Sequence, residues 1–101
     1  MQVKTSFKHV EPTEALKKFI EDKSACLNKY FDGRVSVSWN VTFERQMAIA
    51  HCHVVGNNMD YFGEAEAPNF FGAIDFAIEK IERQVRKHKE QVTDHLHRKA
   101  S

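Results

Sequence analysis

Val35-Ser36-Val37-Ser38-Trp39-Asn40-Val41-Thr42-Phe43 puts an apolar residue at every odd position and a polar one at every even position. Successive side chains of an extended backbone point to opposite faces, so this stretch predicts a strand with one buried and one wet face. A sheet buried on one side needs a second layer to cover it, and the flanking sequence supplies both further strands and the cover. Downstream, Glu44-Arg45-Gln46 reads as a turn into a strand over 47–55, where Ala48, Ala50, Cys52 and Val54 face one way and Met47, Ile49, His51 and His53 the other. Gly56-Asn57-Asn58 has hairpin-loop chemistry. A short strand over 59–66 follows, with Tyr61, Gly63 and Ala65 opposed to Phe62, Glu64 and Glu66. Upstream, residues 1–9 also alternate, Met1, Val3, Thr5 and Phe7 against Gln2, Lys4, Ser6 and Lys8.

Two helical patterns complete the chain. Thr13, after Pro12, can accept from an amide of a first helical turn, and Glu14 sets negative charge near the positive helix end. This helix is expected to reach about residue 31, with Leu16, Phe19, Ile20, Leu27, Tyr30 and Phe31 on one stripe and Asp32-Gly33 ending it. Lys23 interrupts that stripe: either its aliphatic stem packs while the ammonium reaches the edge, or it is presented to a ligand. Asn69, after Pro68, can cap a second helix with the stripe Phe70, Ile74, Ala77, Ile78, Ile81, Val85 and Val92. His88 falls in this stripe and reads as a histidine at the edge of the core. The fold expected is α+β, a β-α-β-β-β-α two-layer sandwich with both helices on one face of a four-stranded sheet. The other face is left to solvent or a partner.

The 101 residues suit one domain spanning 1–101, with an ordered core to about residue 92 and a fraying C-terminal end. There is no repeat or Gly/Ser linker to divide it. No apolar run approaches the ~20 residues of a membrane span, and the start lacks a signal peptide's apolar segment, so a cytoplasmic protein is expected. Cys26 and Cys52 form no tight motif and read as buried reduced thiols. Gly-rich phosphate loops, serine-nucleophile elbows and Cys/His nucleophile motifs are absent, so no enzyme and no cofactor is expected. His51 and His53 share a strand face, but zinc needs about four convergent ligands and no second pair at ligand spacing completes them. His95 and His97 lie near the chain end.

Net charge is only +1, but it is unevenly spread. Residues 80–101 carry seven Lys or Arg against three acids, a balance of +4, which leaves −3 for residues 1–79. At about 100° per residue, Lys80, Arg83 and Lys87 share one flank of the last helix, with Gln84 and Gln91 between them and the apolar stripe. Arg86 lies at the back, and Lys89 on the other flank beside Glu82. Charge alone leaves two readings open. The row can follow a phosphate backbone, releasing counterions, or it can be a solvated face with Glu79-Arg83 and Glu82-Arg86 pairs. A third class of function is a protein-interaction domain, without RNA binding, that offers its outer sheet face or an edge strand to another chain.

The segment Arg83-Gln84-Val85-Arg86-Lys87-His88-Lys89, after Ala73-Ile74-Asp75, resembles the C-terminal helix of the ribosome hibernation-promoting factors, also called ribosome-associated inhibitor or sigma-54 modulation proteins. Val10-Glu11-Pro12-Thr13-Glu14-Ala15-Leu16 resembles that family's entry to its first helix, and Lys23, Leu27, Tyr30, Phe31 and Asp32 fit the rest of it. Together these matches cover nearly the whole chain in order. The resemblance implies a fold related to double-stranded RNA-binding domains. It also implies docking on the small ribosomal subunit and its rRNA, between head and body where messenger and transfer RNA would lie, with repression of translation in stationary phase or stress. By position it assigns Lys23, Lys80, Arg83, Arg86, Lys87 and Lys89 to the RNA, Arg86 standing at a position that the family's run leaves open. The chain ends about twelve residues after Lys89. That resembles the short subtype, which works with ribosome modulation factor in forming ribosome dimers; the expected protein is a monomer when unbound. Glu64 and Glu66 put acid on the outer sheet face, so that end of the sheet is not expected to meet RNA.

Overall fold

The computed structural model describes residues 1–31, 33–56 and 59–100, with side chains described through position 88. Its elements run in the expected order: β1 (Gln2–Lys8), α1 (Glu14–Ala25), a 3-10 segment (Cys26–Tyr30), β2 (Ser36–Glu44), β3 (Met47–Gly56), β4 (Met59–Ala67) and α2 (Phe70–Ala100). The sheet order is β1-β2-β3-β4. β1 and β2 are parallel, which requires a crossover, and α1 provides it. The other two pairings are antiparallel hairpins.

Strand alternation decides the core as the sequence predicts. Val37, Trp39, Val41, Ala48, Ala50, Cys52, Val54, Tyr61, Ala65 and Ala67 are buried from the sheet, against Leu16, Ile20 and Leu27 of the first helical segment and Ala73, Ile74, Ala77, Ile78, Ile81 and Val85 of α2. Burial of Cys52 pushes its thiol up to about 12, so it stays neutral and packs as a small hydrophobe. Both expected caps form: Thr13 Oγ1 accepts from Leu16 N at 3.1 Å, and Asn69 Oδ1 from Gly72 N at 2.8 Å.

Several expectations are corrected. α1 stops at Ala25 instead of continuing to about residue 31, and the chain tightens into the 3-10 segment. The tighter turn sets residues three apart in line. Leu27 is in the core (0% exposed), and Tyr30, one 3-10 turn on, is half-buried, its hydroxyl donating to Glu82 Oε2 at 2.8 Å. Cys26, at the junction, is exposed rather than buried. Gly33 adopts φ 88°, a left-handed conformation that suits glycine, but it does not end the helix: the 3-10 segment stops at Tyr30 and Phe31 is already extended; Asp32, Asn57 and Asn58 lie outside the described residues. Of the first strand's predicted inner side, Val3 and Phe7 pack against the core but Met1 and Thr5 are exposed, because β1 is a sheet edge. Phe43, at the end of β2, is also exposed, its ring 5.8 Å from that of Phe70. His88 is exposed, one turn beyond Val85 where the buried stripe stops, with its ring 6.4 Å from Tyr61. Val92, His95 and His97 lie outside the described side chains.

Two details fix where the helices sit. Ser24, buried in α1, donates to Ile20 O at 2.7 Å and accepts from Trp39 Nε1 at 2.9 Å, satisfying the one polar atom of the sheet's largest buried side chain. On β4, a Cβ added at Gly63 would lie 2.8 Å from the Ala77 carbonyl oxygen and 3.2 Å from Ile81 Cγ1. Glycine at this position lets α2 press its backbone onto the strand, and so sets the height of every side chain α2 carries.

Candidate nucleic-acid interface

α2 lies along β3 and β4, its apolar stripe spent on the sheet, and its opposite side carries cations. The predicted site residues fall into three groups. Arg83, Arg86 and Lys87 are exposed, and among the described residues none of them enters an ion pair. The Glu79-Arg83 and Glu82-Arg86 pairs allowed by four-residue spacing do not form. Glu82 instead turns toward the first helical segment, where it accepts from Tyr30 and lies 4.0 Å from Lys29 Nζ. An exposed guanidinium or ammonium with no internal carboxylate keeps its donors for an external anion.

Lys23 and Lys80 are tied down. Lys23 Nζ lies 2.8 Å from Asp75 Oδ1 across the α1–α2 contact and 5.5 Å from the centre of the Phe19 ring. The hydrogen bond to Asp75 raises its pKa above the ordinary lysine value, against the opposing pull of burial. The Lys23 ammonium is thus held at the α1–α2 edge by a carboxylate of α2. Lys80 Nζ donates to the carbonyl oxygen of Glu64, and Gln84 Nε2 donates to that of Phe62 at 2.7 Å. Both carbonyls belong to β4, the outermost strand, whose outward backbone groups have no further strand to pair with. Side chains of α2 thus fold over the sheet edge and occupy acceptors that an added strand would use. Lys89 lies outside the described side chains.

The ridge is therefore narrower than the sequence count suggests. Lys80, Arg83 and Lys87 lie on the β4 side of α2, Lys23 lies on the α1 side beside Asp75, and Arg86 falls between. A shallow groove between β4 and α2 is lined by Ala65, Glu66, Phe76, Glu79, Lys80 and Arg83. Phe76 was not singled out by the sequence reading, although Phe76, Lys80, Arg83 and Lys87 are spaced to share one helical stripe and the ring is 50% exposed. The signal was an aromatic outside the apolar stripe.

The outer sheet face is different. His53 Nε2 lies 2.6 Å from Asp60 Oδ1 and His51 Nε2 lies 3.8 Å from Glu64 Oε1, with the exposed Phe62 ring beside both imidazoles at 6.3 and 5.8 Å. Among the described residues, no group of three or more His, Cys, Asp or Glu side chains converges as metal ligands would. Among those residues, too, no helix is long and apolar enough to cross a membrane.

An open-faced α+β sandwich with a cationic ridge on its last helix defines a class of small binding domain. Residues 3–93 match the family described as sigma 54 modulation protein / S30EA ribosomal protein, and the chain belongs to that family. It is 36% identical over 97 residues to the ribosome hibernation promoting factor of Escherichia coli (strain K12), covering 94% of this chain and 100% of that one. It is likewise 36% identical over 93 residues to the ribosome hibernation promoting factor of Azotobacter vinelandii, covering 90% and 85% of the two chains. The crystal structure of the Thermus thermophilus Protein Y N-terminal domain superposes with a TM-score of 0.81 at 27% identity, over 87% of this chain and 99% of that one. The four-stranded mixed sheet with two helices is thus shared with this structural neighbour, as the α+β reading of the sequence expected.

Proposed function

We propose that this protein is a ribosome hibernation factor. It docks on the rRNA of the small ribosomal subunit, in the channel that messenger and transfer RNA would occupy, and holds translation off in stationary phase or stress. The observation that carries this reading is the ridge of Arg83, Arg86 and Lys87, exposed and without carboxylate partners among the described residues, on a helix held tightly to the sheet at Gly63. Family membership and the names of the relatives support it. The work needs no bond-making chemistry, only a rigid wedge whose cations meet phosphates, since structured RNA is read largely through shape and backbone contacts. In this reading residues 1–101 act as one ribosome-binding domain, monomeric when unbound and cytoplasmic. Cooperation with ribosome modulation factor in forming ribosome dimers belongs to the same proposal.

Lys23 and Lys80 enter with their internal partners attached. Lys80 can offer phosphate only the protons that Glu64 O leaves over, and Lys23 only those left by Asp75. Within the competing reading, a protein-interaction domain that offers its outer sheet face or an edge strand, strand addition is disfavoured at β4 because Lys80 and Gln84 already hold two of its outward carbonyls.

The test is co-sedimentation with small subunits across a salt series. Docking on RNA predicts release as salt rises, whereas an apolar protein interface persists. Arg83→Glu with Lys87→Glu should abolish co-sedimentation while leaving the melting temperature within a few degrees, since both positions are exposed. Undiminished binding by that double variant would show that the ridge is not the interface.

A further inference from the structure

Phe76 lacks the usual reason for an aromatic residue on a helix. α2 meets the sheet through Ala73, Ile74, Ala77, Ile78, Ile81 and Val85, and Phe76 falls on the other side, half exposed (50%) in a groove it shares with Lys80 and Arg83. Its groove is lined by the Lys80 and Arg83 cations and by Glu79 of the same helix, which enters no ion pair among the described residues. A carboxylate is a poor lining for a phosphate. It suits a nucleobase edge that donates protons, such as the exocyclic amine of adenine, cytosine or guanine, because a carboxylate only accepts.

We propose that Phe76 is a stacking platform for one unpaired base of the bound RNA, and that Glu79 makes this position favour amino-bearing bases over uracil. The inference rests on the ridge of α2 being an RNA interface and adds a base-reading position to it. Lys80 and Arg83, which share the groove with Phe76, meet the adjoining phosphates on its C-terminal side, and the base turns onto the aromatic face. An exposed Phe beside cations suits a base better than a protein side chain: stacking uses the ring face and leaves the cations their phosphates, whereas an apolar protein partner would have to desolvate them.

The experiment compares the full-length protein with Phe76→Ala, Phe76→Leu and Phe76→Tyr, measuring affinity for purified small subunits and for single-stranded A, C and U oligonucleotides. Phe76→Ala and Phe76→Leu should weaken both by about ten-fold, while Phe76→Tyr, which keeps the ring face, stays within about two-fold. Leu keeps the apolar bulk, so a loss shared by Ala and Leu reports the ring and not the fold. Oligo-U should bind less tightly than oligo-A and oligo-C, and Glu79→Ala should erase that difference. If the unaltered protein binds subunits and Phe76→Ala binds them equally well, the stacking platform is overturned while the RNA reading stands. Equal affinity for U, A and C overturns the base preference. A parent chain that binds neither subunits nor oligonucleotides overturns both the RNA reading and this inference.

Discussion

The outer sheet face and the ridge of α2 both carry charge and exposed aromatic rings, yet they are organised in opposite ways. On the sheet, His53 meets Asp60 and His51 meets Glu64, with Phe62 between them, so the described groups answer one another. On the helix, Arg83, Arg86 and Lys87 stand without a described partner although Glu79 and Glu82 occupy the positions that could pair with them. Charge composition does not separate a solvated face from a binding face; what separates them is whether the charges are already satisfied. By the same measure Lys23 and Lys80 belong half to the fold and half to the ridge.

Substitutions can break or sharpen this contrast. The largest effect is expected for Ile81→Asp, which buries an unpaired carboxylate beneath the ridge. Several kcal/mol against a marginal total should unfold the domain, and a cooperative melt near the parent temperature would contradict the assigned core. Gly63→Ala comes next: the new methyl meets the Ala77 carbonyl at 2.8 Å, so α2 must lift, at a cost of about 1–3 kcal/mol. Denaturant titration reads the loss, and ribosome affinity should fall with it although no cation has been touched.

Asp75→Asn probes the half-committed Lys23. Its hydrogen bond with Asp75 raises the lysine pKa, so the stabilisation is present below the ordinary lysine range and is lost as pH rises through the raised value. At neutral pH the variant should lose under about 1 kcal/mol, as partly exposed ion pairs do. It should bind small subunits more tightly at low salt, because a cation has been released toward the ridge; weaker binding would place Lys23 outside the interface. The smallest effect is expected from His53→Gln on the outer face, within about 0.5 kcal/mol in stability and with subunit affinity unchanged. A marked fall in affinity there would erase the distinction between the two surfaces.

Much of the fold was legible because burial repeats with the geometry of the backbone. The alternation at 35–43 and 47–55 named the inner face except at its exposed end, Phe43, and Thr13 and Asn69 marked helix starts through local hydrogen bonding. Legibility failed where a tertiary contact outweighed local pattern. The tightening of Cys26–Tyr30 into a 3-10 segment is coupled to the seating of Leu27 in the core and the reach of Tyr30 to Glu82, and no helical stripe announces it. Phe76 escaped notice because helical periodicity highlights the residues that enter the stripe and passes over an aromatic outside it.

The sequence by itself determined the element order, the two-layer architecture, the buried faces and the concentration of positive charge on the last helix, since each follows from side-chain period and local chemistry within a few residues. Only the tertiary structure decided which cations are available. That depends on partners far apart in the chain, Asp75 for Lys23 and the edge carbonyl of Glu64 for Lys80, which come within hydrogen-bonding distance only after the helices have packed on the sheet.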